Sequence, residues 1–310
     1  MKDSSLLPSW NDTPVKQRLL NFLTVESEKI PLEDRIAVFD MDGTLVCERP
    51  FGIETIVSVH RLLERGKTEP ALRETIEYQY AQLIHDNPHD TSVLSRRVVN
   101  GENVFVNIIM KSFEGADCEE YIEFANRCLN TAVNPDYGLK YADMFFQPML
   151  ELVDALREKH FQLFVVSASM QGIVWSICPQ VLGLDRLHLM GVRHAKRVVF
   201  QQGGPLSYVI ENSRLEPVND YTGKTINIYN HIGKIPVVAV GNTCSDFGVF
   251  QMVSCSPYPN LSVMLNHDDA AREYAYSPTR GTNMNWKELL SANQWLQVDM
   301  SKEFNVVWKR

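Results

Sequence analysis

The sequence lacks three features that would each assign the protein to a particular class. None of its apolar stretches approaches the ~20 residues of a membrane-spanning helix, so no membrane span is predicted. Basic residues are also scarce: 30 Lys and Arg against 38 Asp and Glu give a formal net charge of -8, which argues against a nucleic-acid partner. The six cysteines form no Cys-x-x-Cys pair, so a zinc site has no local support.

The first residues of the chain lack the apolar run of a signal peptide. This favours a cytoplasmic location for the chain as it stands, although an exported protein whose signal peptide had been removed would look the same. The composition, with 45% hydrophobic and 22% charged residues, is ordinary for a soluble globular protein. A chain of 310 residues can hold one large domain or two smaller ones.

The most informative segment is an apolar run, residues 36–39, that ends abruptly in two carboxylates, Asp40 and Asp42. A continuous apolar run predicts a buried parallel strand. Its carboxyl end is where open α/β sheets bind their ligands. The alternative is a hairpin turn at Asp42-Gly43, since Asp-Gly is a common turn pair. Two clustered carboxylates repel each other, so the site needs a cation, a shared proton or an electrophile.

Other apolar runs, at 161–166, 236–241 and 261–265, also end in polar residues, and helical patterns alternate with them. This alternation predicts an α/β fold with a doubly wound parallel sheet. From about residue 50 to 141 the pattern is helical without a core strand, which is long for a simple crossover. We therefore expect a core domain of residues 1–46 and 143–310, with an inserted helical cap of residues 47–142.

Parallel strands bring their carboxyl ends to one edge of the sheet, so the polar residues that follow them should lie together. These polar residues combine acids, a hydroxyl and an ammonium, which are groups suited to a phosphate or a metal. The residues are Asp40, Asp42, Ser167, Asn242, Asp246 and, after Gly223, Lys224. Two of them have structural alternatives. Ser167 could cap the next helix, and Lys224 could be a surface lysine, because Lys234 also follows a glycine.

These segments resemble the four motifs of the haloacid dehalogenase-like hydrolases, most of which are phosphatases. The matching segments are Asp40-Met41-Asp42-Gly43-Thr44, Val165-Val166-Ser167-Ala168-Ser169, Lys224 and Gly241-Asn242-Thr243-Cys244-Ser245-Asp246. The helical insertion is similar to the cap of the phosphoserine-phosphatase-like branch. Residues 7–12 and 267–276 resemble a bacterial subgroup of phosphatases. The resemblance implies a Rossmann-like core with a helical cap.

The resemblance also implies roles for the acidic residues. Asp40 would be the nucleophile that forms an aspartyl-phosphate, and Asp42 would be the general acid and base. Mg²⁺ would bind the Asp40 carboxylate, the Asp42 backbone carbonyl, Asn242 and Asp246. Many relatives have Asp where this chain has Asn242. An amide carbonyl can still coordinate Mg²⁺ but brings no charge, which would shift the charge requirement to Asp246.

The remaining motif residues would bind the substrate. Ser167 would donate a hydrogen bond to a phosphoryl oxygen, and Lys224 would balance charge on Asp40 and the phosphoryl group. The other residues expected at the phosphate or the substrate are Gly43, Thr44, Ala168, Glu48 and Arg49, with Arg96, Arg97 and Lys111 from the cap.

One polar segment, residues 267–269 after the last apolar run, could bind a second cation. We favour a polar loop paired with Arg272 and Glu273.

The expected function is Mg²⁺-dependent hydrolysis of a small phosphorylated metabolite. The alternatives are a phosphotransferase or a phosphonatase-like hydrolase on the same scaffold and a non-catalytic module that binds a phospho-ligand or a metal. A haloacid dehalogenase is disfavoured because it needs neither Asp42 nor Mg²⁺.

Overall fold

The computed structural model describes residues 6–94, 98–99, 102–200 and 204–309. The strands are β1 (Ile36–Phe39), β2 (Val98–Val99), β3 (Glu102–Asn103), β4 (Gln162–Met170), β5 (Leu189–Val192), β6 (His194–Phe200), β7 (Leu206–Arg214), β8 (Val238–Gly241), β9 (Leu261–Asn266) and β10 (Leu296–Asp299). The α-helices are α1 (Pro14–Asn21), α2 (Ile53–Thr68), α3 (Ile76–Asp86), α4 (Val104–Ser112), α5 (Cys118–Leu129), α6 (Gln147–Glu158), α7 (Gln171–Leu182), α8 (Thr222–Ile232), α9 (Phe247–Ser254), α10 (Trp286–Asn293) and α11 (Met300–Glu303). Within these ranges no helix is long and apolar enough to cross a membrane.

The main sheet has six strands in the order β10-β9-β8-β1-β4-β5, and every neighbouring pair is parallel. β1 lies at the centre, where Phe39 pairs with Val165 of β4 on one side and with Val240 of β8 on the other. The chain builds the sheet outward from β1 in both directions, so β1 lies at the topological switch point. The prediction of an α/β fold with a doubly wound parallel sheet is confirmed.

The continuous apolar run of β1 is explained by burial on both faces of the sheet. Ala37 and Phe39 pack in one hydrophobic cluster, whereas Ile36 and Val38 pack in another. Because side chains alternate across a strand, a strand covered on both faces is apolar at every position. This burial fixes the strand and leaves its polar carboxyl end at the edge of the sheet.

Residues 50–141, between β1 and β4, contain helices α2 to α5, in agreement with the helical pattern of the sequence. Side-chain caps support three of them: Thr75 accepts from Tyr78 N at α3, Asn103 from Phe105 N at α4, and Asp117 from Glu119 N at α5. The division into a core of 1–46 and 143–310 and a cap of 47–142 stays a prediction.

A β-hairpin, formed by the antiparallel strands β6 and β7, was not predicted. It hydrogen-bonds to the helical segment, since Gly115 N donates to Ile210 O and Ile210 N donates to Ala116 O, both at 2.9 Å. Two β-rich runs separated by Gln-Gln-Gly-Gly-Pro were the available sequence signal for this hairpin. Part of the chain assigned to the core thus contacts the helical segment.

Candidate active site

Asp40 and Lys224 form a buried ion pair at the end of β1. Asp40 N donates to Val240 O of the neighbouring strand at 2.9 Å, which fixes the backbone of the residue. Lys224 Nζ lies 2.7 Å from Asp40 Oδ1 and 2.6 Å from Asp246 Oδ1. Lys224 is only 1% exposed, so the surface-lysine interpretation is wrong.

Two carboxylates thus share one ammonium, and the pKa values follow from that imbalance. Burial raises the pKa of Asp40 to about 8; Lys224 opposes this shift and the nearby Asp246 adds to it. Burial favours the neutral amine of Lys224, but Asp246 and Asp40 together raise its pKa above the ordinary value. The group therefore carries a fixed positive charge that two carboxyl groups share.

Asp246 has partners on both of its carboxylate oxygens. Oδ1 contacts Lys224, and Oδ2 accepts hydrogen bonds from Asn242 N at 3.0 Å and Thr243 N at 3.1 Å. This approach requires glycine at position 241, because a Cβ there would lie 2.4 Å from Asp246 Cγ. Asp246 therefore orients Lys224 and the loop after β8, and its assignment as a metal ligand stays a prediction.

Asp42 is held by two serine hydroxyls of β4. Ser167 Oγ and Ser169 Oγ donate to Asp42 Oδ2 at 3.0 and 2.8 Å, and Ser169 N donates to Ser167 Oγ at 2.9 Å. Ser167 lies inside β4 and makes no cap for α7, so the helix-cap interpretation is wrong. Burial raises the pKa of Asp42, the serines oppose this shift, and the charge of Glu48 adds to it.

Gly43 follows with a φ of +70°, in the left-handed region that favours glycine. Its carbonyl accepts a hydrogen bond from His267 Nε2 at 2.7 Å, and His267 Nδ1 lies 2.9 Å from Glu273 Oε2. His267 and Glu273 are buried, so they anchor the loop after β1. The other acids of that segment are paired: Asp268 accepts from Ser301 N and Oγ, and Asp269 pairs with Arg272. These pairs support the polar-loop interpretation.

Asn242 lies beside the same glycine. Its Nδ2 donates to Glu48 Oε1 at 3.2 Å and to the Tyr276 hydroxyl at 3.1 Å. Tyr276 stacks on His267, with ring centroids 4.3 Å apart, and the Arg49 guanidinium lies 4.4 Å above the Tyr276 ring. The sequence analysis placed His267 and Glu273 in a polar loop but did not predict their contact with the loop after β1, and it assigned no role to Tyr276.

The structure brings most of the other predicted site residues to this edge of the sheet. Thr44 Oγ1 lies 3.4 Å from Asp40 Oδ2, and Ala168 lies in β4 between the two serines that hold Asp42. Lys111 is different, because its Nζ pairs with Glu77 Oε2 at 3.1 Å within the helical segment. Arg96 and Arg97 lie outside the described residues.

Glu54, in the first turn of α2, is a further site residue that sequence reasoning missed. Its carboxylate accepts a hydrogen bond from Met170 N at 2.6 Å, at the end of β4. Burial raises the pKa of Glu54 to about 8; the Met170 N–H opposes the shift and the charge of Asp42 adds to it. The helical segment therefore contributes a carboxyl group close to Asp42.

The oxygen atoms at this edge of the sheet suit a hard cation. Over the residues that the structure describes, Asn242 Oδ1 accepts no hydrogen bond and Asp40 Oδ2 has only the 3.4 Å contact from Thr44. In the same ranges no three His, Cys, Asp or Glu side chains form a ready-made metal cage. The open oxygens of Asn242 and Asp40 are of the type that binds Mg²⁺, which usually takes one or two carboxylates together with waters and substrate phosphate.

Comparison with known proteins identifies the family. A family model described as haloacid dehalogenase-like hydrolase matches residues 37–251. No curated protein matches the sequence. A conserved protein of unknown function from Anaerococcus prevotii aligns with a TM-score of 0.54 and 14% identity, over 86% of this chain and 89% of that one. A protein of unknown function from Bordetella pertussis aligns with a TM-score of 0.53 and 13% identity, over 86% and 98% of the two chains.

Because the sequence identity is so low, these two structural matches support the fold alone. Both agree with the α/β core of this protein. The family model covers most of the chain and includes all four motif segments, from Asp40 to Asp246. The chain belongs to the haloacid dehalogenase-like hydrolase family.

Proposed function

We propose that this protein is a magnesium-dependent phosphatase that hydrolyses a small phosphomonoester through an aspartyl-phosphate intermediate. The observation that carries the proposal is the group at the end of β1: Asp40 beside the buried ammonium of Lys224, with Asp42 held by two serine hydroxyls. A carboxylate nucleophile, a fixed positive charge and a carboxyl group with a raised pKa together suit this reaction.

The first step transfers the phosphoryl group to Asp40. A carboxylate oxygen of Asp40 forms a bond to phosphorus while the bond from phosphorus to the ester oxygen breaks. Asp42 gives a proton to the departing alkoxide, which leaves as the alcohol. Ser167 and Ser169 both donate to Asp42 Oδ2, so Oδ1 is the oxygen that carries this proton.

The second step hydrolyses the intermediate. Asp42, now a carboxylate, takes a proton from water, and the water oxygen bonds to phosphorus as the bond to Asp40 breaks. Lys224 Nζ, 2.7 Å from Asp40 Oδ1, keeps a positive charge beside the reacting oxygens in both steps. Inorganic phosphate leaves and the Asp40 carboxylate is restored.

Magnesium, when bound, would reduce the repulsion between the Asp40 carboxylate and the phosphoryl group. The groups that would hold it are the Asp40 carboxylate, the Asp42 backbone carbonyl and Asn242. Asp246 was the remaining predicted ligand, and its two oxygens already contact Lys224 and the backbone N–H groups of residues 242 and 243. We therefore assign Asp246 to orienting Lys224.

We propose that residues 47–142 act as the cap over this site. The support is the contact of Glu54, from α2, with Met170 N at the end of β4. A cap in this position limits the substrate to a small phosphorylated metabolite and excludes water during the transfer.

Hydrolysis of p-nitrophenyl phosphate tests the proposed function. Protein treated with a chelator should be inactive and should recover when Mg²⁺ is added. Asp40→Asn should lower kcat by roughly 10⁴-fold or more, because an amide is not a nucleophile here. Wild type and Asp40→Asn that are equally inert over a wide panel of phosphate esters would favour the non-catalytic alternative. Transfer of phosphate to an added alcohol in preference to water would favour the phosphotransferase.

A further inference from the structure

The inference concerns Asn242, the neutral residue at the proposed magnesium site, and rests on the proposed function. An amide oxygen can bind Mg²⁺ but contributes no negative charge. Asp246 does not compensate, because one of its oxygens contacts Lys224 and the other accepts from two backbone N–H groups. The missing charge has to come from another carboxylate near Asn242.

Glu48 is that carboxylate. Its Oε1 accepts a hydrogen bond from Asn242 Nδ2 at 3.2 Å. A Cβ added to Gly43 would lie 1.9 Å from Asn242 Nδ2 and 2.7 Å from Glu48 Oε1, so both groups press against the glycine that follows Asp42. Within the described part of the chain Glu48 forms no ion pair, although its charge interacts with that of Arg280, and its negative charge contributes to the raised pKa of Asp42.

The hydrogen bond between these two residues also fixes the orientation of the amide. A carboxylate only accepts hydrogen bonds, so the Asn242 NH₂ group must face Glu48 and the carbonyl oxygen, Oδ1, must face the other way. The Tyr276 hydroxyl, 3.1 Å from Nδ2, supports the same orientation. Asn242 Oδ1 is thus left without a hydrogen-bond donor among the described residues.

We propose that Glu48 is a positioning residue of the magnesium site: it holds the Asn242 amide with its carbonyl oxygen toward the cation and supplies the negative charge that the amide lacks. A hydrogen-bonded carboxylate behind a metal ligand orients that ligand and makes it a stronger donor. This differs from the expectation that Glu48 contacts the substrate. An unpaired carboxylate at this place would repel a phosphate unless a cation lay between them.

Isothermal titration calorimetry of the full-length protein with Mg²⁺ tests the proposal without relying on activity. Glu48→Gln should weaken Mg²⁺ binding by about 10-fold or more, because it removes the charge and lets the amide rotate. Glu151→Gln is the matched control, since Glu151 also accepts a backbone hydrogen bond, from Ser9 N at 2.9 Å, but contacts no residue of the site. It should leave the Mg²⁺ affinity within about twofold of wild type.

A double-mutant cycle sharpens the test. Asn242→Asp should restore Mg²⁺ affinity in the Glu48→Gln background, because it returns a carboxylate to the ligand position. In the presence of Glu48 the same change should gain less than about threefold, since two carboxylates would then face each other. A gain of tenfold or more from Asn242→Asp alone would overturn the proposal, and this outcome can be measured even if Glu48→Gln fails to fold.

Two further outcomes separate this inference from the proposed function. If wild type binds Mg²⁺ and hydrolyses the ester, but Glu48→Gln binds Mg²⁺ equally well and only raises KM, Glu48 is a substrate contact and the inference is wrong. If wild type binds no Mg²⁺ by calorimetry and needs none for hydrolysis, both the inference and the magnesium part of the proposed function are wrong.

Discussion

The carboxylates of the sheet and those of the segment between β1 and β4 differ in how their charge is balanced. Asp40 and Asp246 both contact the buried Lys224 at less than 3 Å. Glu48 and Glu54, from the intervening segment, form no ion pair within the part of the chain that the structure describes. They accept hydrogen bonds from the Asn242 amide and from Met170 N.

The charges on the two sides of the site therefore serve different functions. On the sheet side, the ion pairs position the proposed nucleophile before any ligand arrives, which is the preorganisation that electrostatic catalysis requires. On the side of the intervening segment, Glu48 interacts with the charge of Arg280 without forming an ion pair, so its carboxylate is available for a cation or a cationic part of a substrate. Glu54 holds a proton at neutral pH, because its pKa is raised to about 8. Changes on the sheet side should therefore affect folding most, and changes in the intervening segment should affect ligand binding.

Replacement of Lys224 by Met should have the largest effect. It would leave Asp40 and Asp246 buried without a cation, and removing one partner of a buried pair costs about 3–5 kcal/mol of unfolding free energy. Urea denaturation at pH 7 measures the loss. The control is Lys234→Met, which breaks an exposed ion pair with Asp34 and should cost far less, because solvent screens that pair. Equal losses of stability in the two variants would show that the buried ion pairs of Lys224 contribute no more than the exposed pair of Lys234.

The sheet side was also the part that the sequence predicted best. Asp40, Ser167 and Asn242 each follow or end an apolar run. In a parallel sheet such residues lie at the same edge, and this placement does not depend on how the side chains pack. The contacts that sequence reasoning missed are tertiary contacts. His267 contacts a carbonyl 224 positions away in the sequence, and Glu54 contacts a backbone amide 116 positions away. No local pattern specifies such contacts.

His267→Ala tests the anchor between the end of β9 and the loop after β1. The variant loses the hydrogen bond to the Gly43 carbonyl. It also leaves Glu273 buried with the Cys47 thiol as its one remaining side-chain partner among the described residues, at a total cost of about 2 kcal/mol. Because the loop carries Asp42, kcat should also fall by roughly 10- to 100-fold. Urea denaturation and steady-state kinetics measure the two effects. His89→Ala, at a largely exposed histidine, should change neither, and similar losses there would exclude a specific anchor.

Glu54 predicts a pH dependence of stability that substitution of Glu54 alone separates from that of Asp40, whose pKa is also raised to about 8. Its pKa is about 8 in the folded protein against an ordinary value of 4.5, so between these pH values the folded state holds a proton that the unfolded state has lost. Stability should therefore fall as pH rises from 5 to 8, by roughly 1 kcal/mol per pH unit from this group. Glu54→Gln should remove that slope in urea denaturation. Parallel pH curves for wild type and variant would show that the pKa is not raised.

Lys111→Met should have the smallest effect, although the sequence made Lys111 a candidate substrate contact. Its ammonium pairs with Glu77 within the helical segment, and a partly exposed pair contributes less than about 1 kcal/mol. The comparison variant is Arg49→Met, because the Arg49 guanidinium lies over Tyr276 and its buried Nε has no hydrogen-bond partner among the described residues. KM for the phosphate ester should rise about tenfold in Arg49→Met and stay within about twofold in Lys111→Met, since only Arg49 faces the site. The reverse result would mean that the cap binds the substrate through its helices and not through the residues next to the loop after β1.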